Sequence, residues 1–322
     1  MIASLTPLGG RAAEIGSWLA QHLPWTPHDF VPGISLQGDR ELRAAFLTRE
    51  LAAEDDMRLL ARDPQGREVV VCAERLPWDS EFFGHGVARL NGVHALSSGA
   101  STPPDDHTYV LKKLTDLSRQ RGVRYLFAPV DSRDLTVIRS LCQAGFTLIE
   151  TRLCYHRHIA DEQGPDKHVC RLARAEDVES LGRAARECVN PFDRFHADPF
   201  LDREKVDALM SRWVAASILE GFANATIVPD RPSPSAFCTL RYHRDCWTHW
   251  GIALGQVALV AVSDEFRGWF KTILAEGHEH MRKAGVGHML LVTQAANKAM
   301  IQIMEKSGYH LGRVEHIFRI IL

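Results

Sequence analysis

Short apolar, β-branched runs alternate with stretches in which apolar residues recur every three to four positions, along nearly the whole chain. The first period marks strands buried on one or both faces and the second marks helices with one apolar side. Helical spacing covers residues 12–23 and 40–53, with a break at Pro24-Trp25-Thr26-Pro27. Strand patterns follow at 57–61 and 68–73 around Asp63-Pro64-Gln65-Gly66, a hairpin signal, and then at 87–93. Residues 97–106, rich in Ser and Pro, read as a loop.

Further on, strands are predicted at 168–173, 223–228, 236–242, 256–262, 288–293 and 314–322, with helices at 176–188, 203–219, 269–284 and 297–306. Leu76-Pro77-Trp78-Asp79-Ser80-Glu81-Phe82-Phe83-Gly84 stands apart, with three aromatics and two acids in an exposed-looking segment. It admits two readings, a domain-interface plug or part of a sugar-binding surface. The preference of aromatics for packing favours the plug.

The pattern also repeats. Gly122 to Gly145 and Gly285 to Gly308 each bracket a strand and a helix at the same spacing, 145 − 122 = 23 and 308 − 285 = 23. Asp134 falls opposite Asn297, and Leu141 opposite Met304. A gapless match of that length predicts two tandem copies of one α/β unit. Ala160 to Lys167 is polar and contains turn residues, so the expected boundaries are 1–160, a linker at 161–167, and 168–322.

Composition narrows the partners. Lys plus Arg number 38 and Asp plus Glu number 40, giving a net charge of −2, so no basic groove for nucleic acid is expected. The seven cysteines are scattered and never spaced as C-x-x-C, and the histidines lack ligand spacing. Reduced thiols in a cytoplasmic protein with no metal are therefore expected. No run of apolar residues is long enough to span a membrane.

Candidate chemistry concentrates near the C-terminus. Strand 256–262 runs into a turn at 263–268 that opens a helix, where unpaired N–H groups and the positive end of the helix dipole favour a phosphate or pyrophosphate. Arg267 and Lys271 stand at the same place. From spacing alone, an anion site and a plain strand-to-helix turn remain equally open.

The order of strand, R-G-x-x-K loop, helix, strand ending Thr293-Gln294, and then N-K-A-x-I-x-x-x-E-K-S-G-Y from Asn297 resembles the acyl-CoA-binding half of the GNAT superfamily of N-acyltransferases. The resemblance implies a loop of Arg267, Gly268, Trp269, Phe270, Lys271 and Thr272 around the CoA pyrophosphate. It also implies pantetheine lying against Leu259, Val260, Ala261 and Val262 between splayed strands, with Asn297 as the helix-opening amide. Phe270 and Thr272 stand where that family has small residues, and Met304 stands where many relatives place a tyrosine acid. Methionine cannot protonate a thiolate, and an apolar filler is the favoured reading of Met304.

Asn190-Pro-Phe-Asp-Arg-Phe-His-Ala-Asp198 precedes an acidic and aromatic helix. This segment and the Leu76–Gly84 motif resemble the dTDP-fucosamine acetyltransferase group, which acylates an amine on a nucleotide-linked deoxysugar. An amino sugar arrives as an ammonium ion and must lose a proton before attack, a task that suits His196 with Asp198, a neighbouring Asp orienting the ring. Asp193 and Arg194 are candidate acceptor ligands, and so are Arg241, Tyr242 and His249 for a diphosphate and its sugar. A loop held by Asp caps and an Arg–Asp pair is the competing reading of the 190–198 segment.

The expectation is therefore an α+β protein of two tandem GNAT-like domains, each a mixed, mainly antiparallel sheet flanked by helices, with only the second holding acyl-CoA. Acetyl or another short acyl group would pass by direct attack to a small-molecule amine, a sugar nucleotide on the finer reading, with backbone N–H groups near Leu259 polarising the thioester. A homodimer is admitted. The rivals are an acyltransferase for a non-sugar amine and an acyl-CoA-binding protein that has lost catalysis.

Overall fold

The computed structural model describes residues 5–62, 67–96 and 107–322. The turn expected at 63–66 and the loop expected at 97–106 lie outside the described residues. The chain divides into two compact units. One takes Met1–Asp29, Leu36–Thr151 and Val314–Leu322, and the other takes Phe30–Ser35 and Arg152–Arg313.

In chain order the elements are β1 (Thr6–Pro7), α1 (Ala12–His22), α2 (Leu36–Thr48), β2 (Asp56–Arg62), β3 (Glu68–Arg75), α3 (Pro77–Phe83), β4 (Gly86–Ala95), α4 (Thr108–Gln120), β5 (Val123–Asp131), α5 (Leu135–Gln143) and β6 (Thr147–His158). They continue with β7 (Cys170–Leu172), α6 (Val178–Glu187), α7 (Arg203–Leu219), β8 (Ala225–Pro229), β9 (Ala236–Arg241), α8 (Trp247–Trp250), β10 (Leu254–Val262), α9 (Phe270–Lys283), β11 (His288–Gln294), α10 (Lys298–Lys306) and β12 (His310–Ile321).

In the first unit the strands lie in the order β1-β2-β3-β4-β5-β12. Each neighbouring pair is antiparallel except β4 with β5. Strand β3 is buried on both faces, and its alternation shows how. Val69, Val71 and Ala73 join the core under α4 and α5, whereas Val70 and Cys72 join the cluster with Ile15 and Leu19 of α1 and Leu47 of α2. The aromatic segment after β3 forms helix α3. Pro77 opens it and Gly84, at φ 75°, closes it. Trp78 stacks on Phe82 at 5.4 Å and stays 42% exposed.

In the second unit the order is β6-β11-β10-β9-β8-β7, with β10 and β11 the one parallel pair. This is the same arrangement with one difference in connectivity. The strand after α5 (β6, from Arg152 onward) pairs with β11, and the strand after α10 (β12, from Glu315) pairs with β5. The units thus exchange their last strands. The division differs accordingly from the expected cut at 161–167: residues 152–160 belong with the second unit and 314–322 with the first. Tyr155 and Ile159 are buried in one core and Phe318 in the other.

The internal repeat is visible residue by residue. Gly122 and Gly145 have φ 74° and 93°, and Gly285 and Gly308 have φ 90° and 74°, each just past a helix end where a left-handed residue closes the last turn. Asp134 and Asn297 cap α5 and α10 by accepting from the N–H of Val137 and Met300. Leu141 and Met304 are both fully buried. Met304 is a core residue of the second unit, so its thioether fills space under α10.

A candidate acyl-CoA cleft in the second unit

The second unit opens where its parallel ladder stops. β10 and β11 pair from Leu254 with His288 to Val257 with Leu291, and the pairing ends there, although β10 continues to Val262 and β11 to Gln294. At the same level β10 carries a bulge against β9. Val257 faces Leu240 and Leu259 faces Thr239, which leaves Ala258 as the extra residue. A bulge bends its strand and sharpens the local twist, which separates β10 from β11 beyond that point.

Just past the bulge a side chain of β9 bonds to the backbone of β10. The Leu259 N–H donates to Thr239 Oγ1 at 2.8 Å, and that hydroxyl lies 3.4 Å from the Leu259 carbonyl, to which it donates in turn. Of the backbone N–H groups near Leu259 expected to polarise the thioester, that of Leu259 itself is taken on the β9 side. Since successive residues in a strand direct their backbone groups to opposite edges, Val260 and Val262 direct theirs into the gap. At its far end the Val262 N–H meets the Cys188 thiol. Burial raises the pKa of that thiol, and the Val262 N–H opposes the rise.

The loop after β10 then turns back into α9. The Ser263 N–H pairs with Ser235, a single 3₁₀ turn covers Asp264–Phe266, and Gly268 takes φ 90°. Among the described residues, the N–H groups of Gly268, Phe270, Lys271 and Thr272 meet no acceptor. That is the condition of a helix N-terminus able to hold an anion. The phenylalanine at the expected small-residue position does not obstruct it, because the Phe270 side chain turns into the core beside Ile273 and Leu274. A Cβ added at Gly268 would meet nothing within 4 Å, so the outer face of the loop is open.

Side-chain charge adds little here. Arg267 is 82% exposed and pairs with Asp264 at 2.6 Å. With Glu265 and Lys271 included the loop carries two acids and two bases, 2 − 2 = 0. Backbone amides and the dipole of a 14-residue helix are what favour an anion. Lys271 also lies at one end of a cleft of about 230 Å³ that follows α9 past Leu274 and His278 to Arg282.

The residues expected at the acceptor side divide. His196 is not arranged as a base. Its Nδ1 lies 2.6 Å from Asp193 and its Nε2 3.3 Å from Asp207, and the side chain is only 2% exposed. Burial lowers its pKa, but the Asp193 hydrogen bond and charge, helped by Asp207, outweigh that and leave it raised above the usual histidine value. The acids flanking the ring are Asp193 and Asp207, whereas Asp198 accepts from the Phe200 N–H within its own turn. Asp193 likewise accepts from the N–H groups of Phe195 and His196, and the Arg194 guanidinium lies over the Phe195 ring at 3.9 Å.

Arg241 and Tyr242 end β9 on opposite faces. Arg241 is exposed, lies across from Gln256 two positions ahead of the bulge, and stacks over Phe222 at 5.5 Å. Tyr242 is buried, and its hydroxyl is 2.7 Å from His280 Nε2 on α9, which removes it from a ligand-facing surface. His249 is exposed on the four-residue α8. Asn297 serves as the α10 cap at the end of the gap lined by β11.

Three contributors were not singled out from the sequence, and one of them had a signal there. Thr239 had one, a hydroxyl inside an apolar strand. Cys188 and Asn190 had none, since the contacts of Cys188 with Val262 and of the Asn190 amide with the Gln294 side-chain oxygen depend on tertiary packing. Together they link the segment after α6 to both strands that line the gap. Among the described residues no group of three or more His, Cys, Asp and Glu side chains is placed to hold a metal ion, and no helix is long and apolar enough to cross a membrane.

No protein-family model matches the chain, and no curated protein sequence matches it. Solved structures do. A GCN5-related N-acetyltransferase from Sphaerobacter thermophilus aligns over 99% of this chain and 95% of its own, with a TM-score of 0.58 at 12% identity. A tandem GNAT protein from the clavulanic acid biosynthesis pathway aligns over 99% and 98%, with a TM-score of 0.57 at 11% identity. A fungal multi-domain GH3 β-N-acetylglucosaminidase with a GCN5-related glucosamine N-acetyltransferase region matches 99% of this chain over 38% of its own length, with a TM-score of 0.62 at 13% identity. The chain thus has the α+β GNAT fold in tandem, as the family resemblance and the internal repeat led one to expect.

Proposed function

We propose that the protein is an acyl-CoA-dependent N-acyltransferase whose second unit binds the acyl donor. The observation that carries this reading is the parallel ladder ending at Val257 and Leu291, directly followed by a loop with four unsatisfied N–H groups. A diphosphate would accept from the amides of Gly268 and Phe270 to Thr272. Pantetheine, which has alternating amide donors and acceptors, would lie along the inward-facing backbone groups of Val260 in the manner of an added strand.

The reaction needs no covalent enzyme intermediate. The neutral amine nitrogen attacks the thioester carbonyl, the C–N bond forms as the C–S bond breaks, and CoA leaves as the thiolate. The amine sheds one proton before attack and another after it. With His196 enclosed by two carboxylates and Met304 buried, solvent water takes the first proton, and the second passes through water to the thiolate. The Val260 N–H, the first beyond the bulge to face the gap, supports the negative charge that develops on the carbonyl oxygen.

For the acceptor we favour an amino sugar carried on a nucleotide. Arg241 supports this, since an exposed guanidinium two positions from the bulge and stacked on Phe222 suits a diphosphate beside a ring. One structural neighbour is described as containing a glucosamine N-acetyltransferase region, which agrees with an amino sugar. Both substrates are cytoplasmic metabolites, and the protein is proposed to work there. The test is release of free thiol from acetyl-CoA in the presence of dTDP- and UDP-linked amino sugars, free glucosamine, polyamines and amino acids. Release with a sugar nucleotide alone supports the full reading. Release with a polyamine or amino acid keeps the transferase and overturns the acceptor, and no release with any amine overturns the transferase.

A further inference from the structure

We infer that Thr239 is a positioning residue for acyl transfer, and that it aims the Val260 amide at the thioester by tying Leu259 to β9. This deepens the proposed function and rests on it. Thr239 lies in the middle of β9 and is fully buried. One edge of its strand is occupied by β8, where it pairs with Thr226. On the other edge the extra residue Ala258 shifts β10 out of register, so the Leu259 N–H and carbonyl meet the Thr239 hydroxyl, which accepts from one and donates to the other.

One side chain thereby anchors both polar groups of the residue before Val260. With Leu259 fixed toward β9, Val260 has to point the other way. Without the hydroxyl, the half-buried Leu259 N–H would lose the acceptor it has on β9, and the strand would relax to recover a partner. The direction of the Val260 amide would then no longer be set.

The first unit offers an internal contrast. β4 has an equivalent bulge at Asn91, between Leu90 opposite Ala73 and Gly92 opposite Cys72. Cys72 occupies the place of Thr239 and has only a weakly bonding thiol. There the carbonyl of Asn91, the bulge residue itself, accepts from the Arg43 guanidinium. The hydroxyl anchor is thus found at the bulge of the second unit and not at the matching bulge of the first.

The test uses the full chain with [1-¹³C]acetyl-CoA, and compares the carbonyl carbon resonance of the bound and free thioester in wild type, Thr239→Ser, Thr239→Val and Thr239→Ala. A directed amide polarises the carbonyl and moves the bound resonance downfield. Wild type and Thr239→Ser are expected to show that displacement, and Thr239→Val to lose most of it while its affinity for acetyl-CoA falls less than about tenfold. Thr239→Ala gives the same comparison with less crowding should the valine variant fail to fold. A full displacement in either folded variant overturns the inference, as does its absence in wild type that binds acetyl-CoA. Wild type that does not bind acetyl-CoA at all refutes the donor reading itself.

Discussion

His196 is held between Asp193 and Asp207 with almost no solvent contact, so its imidazolium is favoured to a higher pH than that of an ordinary histidine. Because its folded-state pKa lies above the unfolded value of about 6.5, the stabilisation is complete below that value and fades as pH rises through the folded pKa. Replacing it by Gln should therefore cost about 1.5–3 kcal/mol at pH 5.5 and less at pH 9, as read from thermal melts at both pH values. An equal loss at the two pH values would mean that the ring is not held as a cation. At this scale the sequence was a partial guide. The residue types in the 190–198 segment identified an acid–histidine cluster, but which acids flank the ring depends on Asp207, nine residues past Asp198 on another element. Phe270 illustrates the same limit, since it became intelligible only once it was seen to face the core, whereas Met304 is the apolar filler that its type suggested.

Elements were far more legible, because period and capping are local. The four glycines at positive φ and the two caps at Asp134 and Asn297 follow from chain spacing and side-chain type alone. If the caps are equivalent, Asp134→Ala and Asn297→Ala should each destabilise by about 1 kcal/mol in denaturant titrations. A markedly larger effect at Asn297 alone would show that it has a further structural task. The bulge at Ala258 was not legible, since one inserted residue leaves strand periodicity almost unchanged over so short a run. Its consequence is large nonetheless, because it decides which amides face β9 and which face the gap. The loop was readable as a helix opening, but its charge was not, because the pairing of Arg267 with Asp264 cancels what the R-G-x-x-K spacing promised.

For the whole molecule, the two copies were evident from their identical spacing, yet the exchange of their last strands was not. Both copies end in helix and strand, and nothing within a copy says which sheet that strand will join. The exchange makes the apparent linker at 161–167 a poor place to cut. A fragment of residues 1–160 lacks the β12 residues that pair with β5, including buried Ile317 and Phe318, and would expose an apolar edge. It should aggregate or show no cooperative melt, whereas a cooperatively folded 1–160 fragment would contradict this topology.

The central claim is that the loop and gap of the second unit form a site for the diphosphate and pantetheine of acyl-CoA. Calorimetric titration of the full chain with CoA and, in parallel, with pantetheine tests it most directly. The account predicts saturable CoA binding, with pantetheine at least about tenfold weaker because it has no diphosphate for the amides of Gly268 to Thr272. Equal affinity for the two would contradict the role given to the loop, and no CoA binding would contradict the site altogether.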